Sequence, residues 1–191
     1  LPSFTGGLVG YFAYEYLRYQ ESKLDFDDET INKDEVSFND VDLMLFDKVI
    51  AFDHYTKKII LIVNIKTDDL KANYAKAIED LEKLAKRIIY GKEKEIPSGK
   101  LLSDFKREFS KDEYIDVVKK TQHYIKEGDI FQAIISNRIE ADFSGSLLNA
   151  YRILRTINPS PYMFYLSSKQ IELTGASPET LIKLEDKELK T

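Results

Sequence analysis

The segment Asn158-Pro159-Ser160-Pro161-Tyr162-Met163-Phe164, followed closely by Gly175-Ala176-Ser177-Pro178-Glu179, carries the residues of this chain best suited to recognition chemistry. Pro161, Tyr162 and Met163 together offer a flat ring, an aromatic face and a polarisable thioether, a set that suits an indole. Unpaired amides and carbonyls on an adjacent strand edge could hold the carboxylate and ammonium of an amino acid. A plainer reading is open too, and the residues alone favour it. Asn158 tolerates a left-handed helix cap and two prolines keep the backbone extended, so the segment would be a helix stop feeding an edge strand.

Other candidates for chemistry are weaker. Asp25, Asp27, Asp28 and Glu29 cluster, but without the spacing and glycine of a calcium loop they read as a solvated acidic loop. His54 and His123 lie far apart in sequence with no serine or carboxylate at triad-like spacing, and each reads as a turn or surface histidine. Glu179 follows a proline, a turn or helix-start signature, and takes a structural role. Gly6, Gly7 and Gly10 form no phosphate loop, since neither G-x-x-x-x-G-K-[ST] nor G-x-G-x-x-G occurs.

These residues need elements to position them. Aromatics and glycines over 4–19 predict a strand that comes close to a neighbour, then a short helix or turn. Residues 20–40 hold acids and few large apolar side chains, and predict a mobile loop. The runs 41–52 and 58–65 read as a hairpin around 53–57. Apolar residues from Leu70 to Ile88 recur at three and four, predicting an amphipathic helix with Asp68 or Asp69 as cap and Gly91 as stop. Residues 92–106 read as an internal loop.

Ser110-Lys111-Asp112-Glu113 is a capping box flanked by Phe109 and Tyr114 as a hydrophobic staple, so a helix should run over 111–127 and stop at Gly128 in a left-handed conformation. Alternation over 130–141 predicts a strand with one polar face. A short helix over 147–157, a hairpin of 163–166 with 170–174, and another of 181–184 with 188–190 complete an α+β chain with mixed to antiparallel sheets.

Composition sets the outer limits. With 43% hydrophobic residues, 12 Tyr and 11 Phe, the chain should be globular. A net charge of −5 offers no basic surface for nucleic acid, and the absence of cysteine removes disulfides and thiolate chemistry while fitting a reducing, cytoplasmic setting. The longest apolar run, 59–65, is broken by Asn64 and is far short of the roughly 20 residues of a membrane span. No targeting segment is expected from the first residues.

Taken with N158-P-S-P-Y-M-F164 and G175-A-S-P-E179, the runs G6-G-L-V-G-Y-F-A-Y-E-Y-L-R18, D42-L-M-L-F-D-K-V-I-A-F-D-H54 and G128-D-I-F-Q-A-I-I-S-N-R138 resemble the large subunit of anthranilate synthase, component I, across nearly the whole chain. The family usually has Gln where this chain has Asn137. The resemblance implies a chorismate-utilising fold, of which residues 1–191 would be a single incomplete central domain. It implies conversion of chorismate and ammonia to anthranilate and pyruvate in tryptophan biosynthesis, Mg²⁺ as cofactor, and a glutamine amidotransferase subunit, component II, as partner. It places L-tryptophan, the feedback inhibitor, against Pro161, Tyr162 and Met163, with the other wall from a leucine-leucine-glutamate-serine motif that has no match here. The family's metal ligands and catalytic residues are expected beyond residue 191, so no catalytic or metal-binding residue is assigned and the fragment alone is expected to be inactive. Two alternatives are a non-catalytic tryptophan-binding or partner-docking module, and the related aminodeoxychorismate synthase component I, which Pro161-Tyr162-Met163 disfavours.

Overall fold

The computed structural model describes residues 1–21 and 38–190. Asp25, Asp27, Asp28 and Glu29, and most of the loop expected over 20–40, lie outside the described residues. The chain divides into two compact units, Leu1–Lys94 and Glu95–Thr191. Among the described residues every sheet has two strands, all paired antiparallel. No helix among them is long and apolar enough to cross a membrane.

In the first unit β1 (Gly7–Phe12) pairs with β2 (Val41–Phe46), and β3 (Lys48–Asp53) pairs with β4 (Lys58–Val63). The run 41–52, expected as one strand, is therefore two strands in different sheets, broken at Asp47. Asn64 accounts for the break. Its amide N–H donates to the Asp47 carbonyl at 2.7 Å, and its side-chain Nδ2 donates to the same carbonyl at 3.2 Å and to the Thr5 carbonyl at 2.7 Å. One asparagine thus occupies the corner where β1 begins, β2 passes to β3, and β4 ends.

Gly6 makes room for it. A Cβ on Gly6 would lie 2.3 Å from Asn64 Nδ2 and 2.9 Å from the Phe46 carbonyl, and its φ of +134° is one that L side chains rarely adopt. Beyond β1 a 3₁₀ turn, Tyr14–Tyr19, is tied to the approach of β2: Arg18 pairs with Asp40 at 2.8 Å and the Tyr19 hydroxyl donates to the same carboxylate at 2.7 Å. The β3–β4 turn is closed by the Asp53 carboxylate, which accepts from the amides of Tyr55 and Thr56.

The helix α1 (Leu70–Tyr90) starts as expected, with the Asp69 carboxylate accepting from the Ala72 amide at 3.1 Å, and ends at Gly91. It packs on β4, and Lys48 of β3 reaches its Asp80 at 2.8 Å. A two-stranded ribbon is too narrow to cover the whole apolar stripe. Ala77 is buried, whereas Leu70, Tyr74 and Ile78 on the flank of the stripe stay exposed.

The second unit is built around α2 (Lys111–Glu127). Both arms of the capping box form: the Ser110 hydroxyl accepts from the Glu113 amide at 3.4 Å, and the Glu113 carboxylate accepts from the Ser110 amide at 2.8 Å. Gly128 ends the helix at φ 85°. The segments before and after this helix then lie against each other as a nested ribbon. β5 (Lys100–Leu101) pairs with β8 (Phe143–Ser144), and inside it β6 (Lys106–Arg107) pairs with β7 (Ile139–Glu140).

Asn137 closes the inner end of that ribbon by copying a backbone partner. Its Oδ1 accepts from the Phe109 amide and its Nδ2 donates to the Phe109 carbonyl, each at 3.0 Å. The strand expected over 130–141 is accordingly reduced to Ile139–Glu140. Alternation alone does not make a strand, which requires a neighbour to complete its ladder. Among the described residues none flanks 130–134, and Phe131 and Ile134 are about nine-tenths exposed there.

The remaining elements follow the expected order: α3 (Leu148–Ile157), the hairpin β9 (Tyr162–Ser167) with β10 (Glu172–Ser177), and the hairpin β11 (Lys183–Glu185) with β12 (Glu188–Lys190). The last turns through Asp186 and Lys187, both at positive φ, as a two-residue hairpin with right-handed strand twist requires.

Removing the Asn64 side chain should cost the first unit about 1–2 kcal/mol, the net worth of its lost hydrogen bonds. Gly6→Ala should cost more, because strain and overlap coincide there. The chain has two methionines, Met44 in β2 and Met163 in β9, so a urea titration followed through the Met44 methyl resonance isolates this unit. A midpoint unmoved by Asn64→Ala would show that the corner holds without it.

Candidate functional site

The proline-flanked segment 158–163 links α3 to β9, and α3 packs across both strands of the β9–β10 hairpin. Asn158 caps α3 at φ −139° and ψ 65°, not in the left-handed conformation one reading of the sequence allowed. The following Pro159 is the reason, since a proline ring pushes the preceding residue toward extended geometry. The Ser160 hydroxyl then donates to the Tyr162 carbonyl at 3.2 Å, folding the short connector onto the start of β9.

Tyr162 and Met163 are successive residues of one strand, so their side chains leave opposite faces of the hairpin. Met163 is half-buried and shares a face with Tyr165, whose ring lies 6.1 Å from that of Tyr151 on α3. Tyr162 is 45% exposed, with its hydroxyl hydrogen-bonded to that of Thr180. Pro161 is exposed at the head of the strand. The three residues are contiguous but present no single flat wall; they surround the end of β9. On the Tyr162 face Phe164 lies over Gly175, where an added Cβ would come within 2.6 Å of the ring.

The best-connected polar group here is one the sequence reading passed over. The Glu172 carboxylate accepts three hydrogen bonds: from the Tyr165 hydroxyl at 2.7 Å, the Leu147 amide at 2.6 Å and the Ser146 hydroxyl at 3.0 Å. Ser146 Oγ in turn accepts from the Leu148 amide at 3.1 Å. A carboxylate on β10 and a hydroxyl ahead of α3 therefore cap that helix together, where unpaired amides favour negative charge. Ser146 ahead of an apolar-periodic run is a legible cap signal. Glu172, 25 residues away, gives none.

The remaining candidates stand apart from chemistry. Ser177 and Glu179 close a local turn in which the Glu179 backbone bonds to the Ser177 hydroxyl and its side chain is exposed. His54 lies in the β3–β4 turn, and His123 sits beside Glu127 on the exposed surface of α2. An open depression of about 630 Å³ lies at the start of α2 near Arg107, Ser110 and Asn137, but the capping box and the Phe109 pairing engage its polar groups and it contains none of residues 158–163. Among the described residues no group of three or more His, Asp or Glu side chains stands close enough to hold a metal ion.

Three donors, led by Tyr165, hold the Glu172 carboxyl below the ordinary glutamate range. A carboxyl lowered on folding stabilises the fold above its unfolded value, and that contribution is lost as pH falls through the lowered value. The α3–hairpin unit should thus loosen below the ordinary glutamate value of about 4.3. Helical circular dichroism against pH checks this, and Glu172→Gln should flatten the Glu172-dependent part of the curve.

Comparison with known proteins agrees along the whole length. Residues 2–191 match the chorismate binding enzyme family. Anthranilate synthase component 1 of Aquifex aeolicus (strain VF5) is 37% identical over 199 residues, covering 100% of this chain and 38% of that protein. The yeast Saccharomyces cerevisiae protein of the same name is 34% identical, covering 98% of this chain and 37% of its own length. The crystal structure of anthranilate synthase component I from Streptococcus pneumoniae TIGR4 superposes with a TM-score of 0.74 at 25% identity, covering 96% of this chain and 41% of that one. The chain spans about two fifths of the length of these relatives. Its mixed α/β architecture is thus that of component I, and the chain belongs to the chorismate binding enzyme family as an anthranilate synthase component I-like member.

Proposed function

We propose that this chain is part of the large subunit of an anthranilate synthase, a lyase that converts chorismate and ammonia to anthranilate and pyruvate in cytoplasmic tryptophan biosynthesis. The observation that carries the reading is the end-to-end match to proteins named anthranilate synthase component 1 from bacteria, an archaeon and yeast. Ammonia would come from a glutamine amidotransferase subunit, component II. Magnesium would be held outside the described residues.

Within that subunit, Pro161, Tyr162 and Met163 form one side of the site where L-tryptophan inhibits. The alternation in β9 shapes how it binds. An indole that touches both Tyr162 and Met163 must lie across the open edge of β9, where backbone amides and carbonyls are available to the amino acid's carboxylate and ammonium. Pro161 then packs at the ring's end.

Given chorismate, Mg²⁺ and high ammonia, the 191-residue chain should form no anthranilate, because the resemblance assigns none of the family's metal-binding or catalytic residues to it. Fluorescent product above background would overturn this. In the complete subunit Pro161→Ser should raise the L-tryptophan concentration needed for half-inhibition while leaving the uninhibited rate unchanged, and an inhibition curve that does not move would reduce the segment to a helix stop.

A further inference from the structure

Helix α3, the connector 158–161, β9, the turn 168–171 and Glu172 form a closed cycle. Glu172 lies opposite Ser167 at the turn end of the hairpin and grips the first turn of α3 there. The ten residues of α3 then run back along β9, about 15 Å of helix against a six-residue strand of about 20 Å. Only four residues remain to join the helix end to Tyr162. Pro159 and Pro161 fix φ at two of them, and Ser160 bonds forward to Tyr162, so the connector has little slack.

A helix gripped at its start and joined at its end by a stiff connector transmits its position to that connector. We propose that Glu172 is the positioning residue for the 158–163 segment: by fixing where α3 begins on the hairpin, it sets where Pro161 and Met163 stand at the other end. Glu172 touches no effector itself. Its consequence for regulation, that loosening Glu172 weakens recognition of an indole-bearing amino acid, rests on the effector reading above.

Glu172→Gln is the direct probe. A side-chain amide keeps one accepting oxygen but presents a donor in place of the other, so it cannot serve Leu147, Ser146 and Tyr165 together. Tyr165→Phe removes the hydroxyl's bond to Glu172 and its longer contact with Ser146 Oγ at 3.4 Å, and remains available if the first variant folds poorly. Ser110→Ala serves as control, because it weakens the same unit at the start of α2 without touching the cycle.

With methyl-labelled methionine in the 191-residue chain, Glu172→Gln and Tyr165→Phe should move or broaden the Met163 resonance and speed amide exchange at Tyr162 and Met163 roughly tenfold. Met44 and the α2 amides should be unaffected, and Ser110→Ala should leave Met163 in place. The L-tryptophan concentration that half-inhibits the complete subunit should rise about tenfold in Glu172→Gln, a change of about 1.4 kcal/mol. A Met163 resonance unmoved by both cycle variants, or moved equally by Ser110→Ala, overturns the positioning role. A Met163 resonance that follows Glu172, together with an L-tryptophan inhibition of the complete subunit that ignores Pro161→Ser, upholds the positioning and overturns the effector reading alone.

Discussion

Every described strand in this chain is paired along one edge only, and that constraint governs the rest of the structure. A two-stranded ribbon is marginal in water unless another element covers one of its faces. The β3–β4 ribbon has α1 and the β9–β10 hairpin has α3. Neither cover is wide. Flanking apolar residues of both helices, Tyr74 and Ile78 on one and Ile153 and Ile157 on the other, remain in solvent. The core is correspondingly thin, with Ala77 the buried apolar residue among those described.

With so little ladder and so little core, single polar side chains take on backbone duty. Asn64 binds two carbonyls where four strand ends meet, Asn137 pairs with both polar groups of Phe109, and Glu172 caps a helix from a strand. Each reaches between 17 and 59 residues along the chain. These three residues carry part of the long-range contact that hydrophobic burial would make diffusely, beside pairs such as Arg18 with Asp40 and Lys48 with Asp80. Asparagine suits the two carbonyl-rich corners because its amide both donates and accepts, whereas a carboxylate suits the donor-rich start of α3.

The sequence was most legible where structure is set locally. The capping box at Ser110 and Glu113, the stop at Gly128 and the period of α1 all follow from residues within a few positions of one another, whereas the β9–β10 turn sits later than the 167–169 expected, with Gln170 and Ile171 in the turn. It was least legible where a partner decides. The alternation over 130–141 is real but lacks a neighbouring strand over most of its length, and the run 41–52 divides because a residue beyond the hairpin claims the Asp47 carbonyl. In the candidate site, composition singled out Pro161, Tyr162 and Met163, but the alternation of a strand separates two of them to opposite faces. Glu172 was silent for the same reason Asn64 was: its partners are distant in sequence.

The nested ribbon around α2 bears on the order in which this chain folds. Its inner pairs, Lys106 with Glu140 and Arg107 with Ile139, enclose α2, and its outer pairs, Lys100 with Ser144 and Leu101 with Phe143, enclose the inner ones. A helix that carries its own start and stop signals can form within about a microsecond and shortens the loop that the inner pairs must close. Once these pairs form, the outer ones have only a few residues left to bring together. Assembly of the second unit is thereby zipper-like, spreading outward from one locally encoded helix.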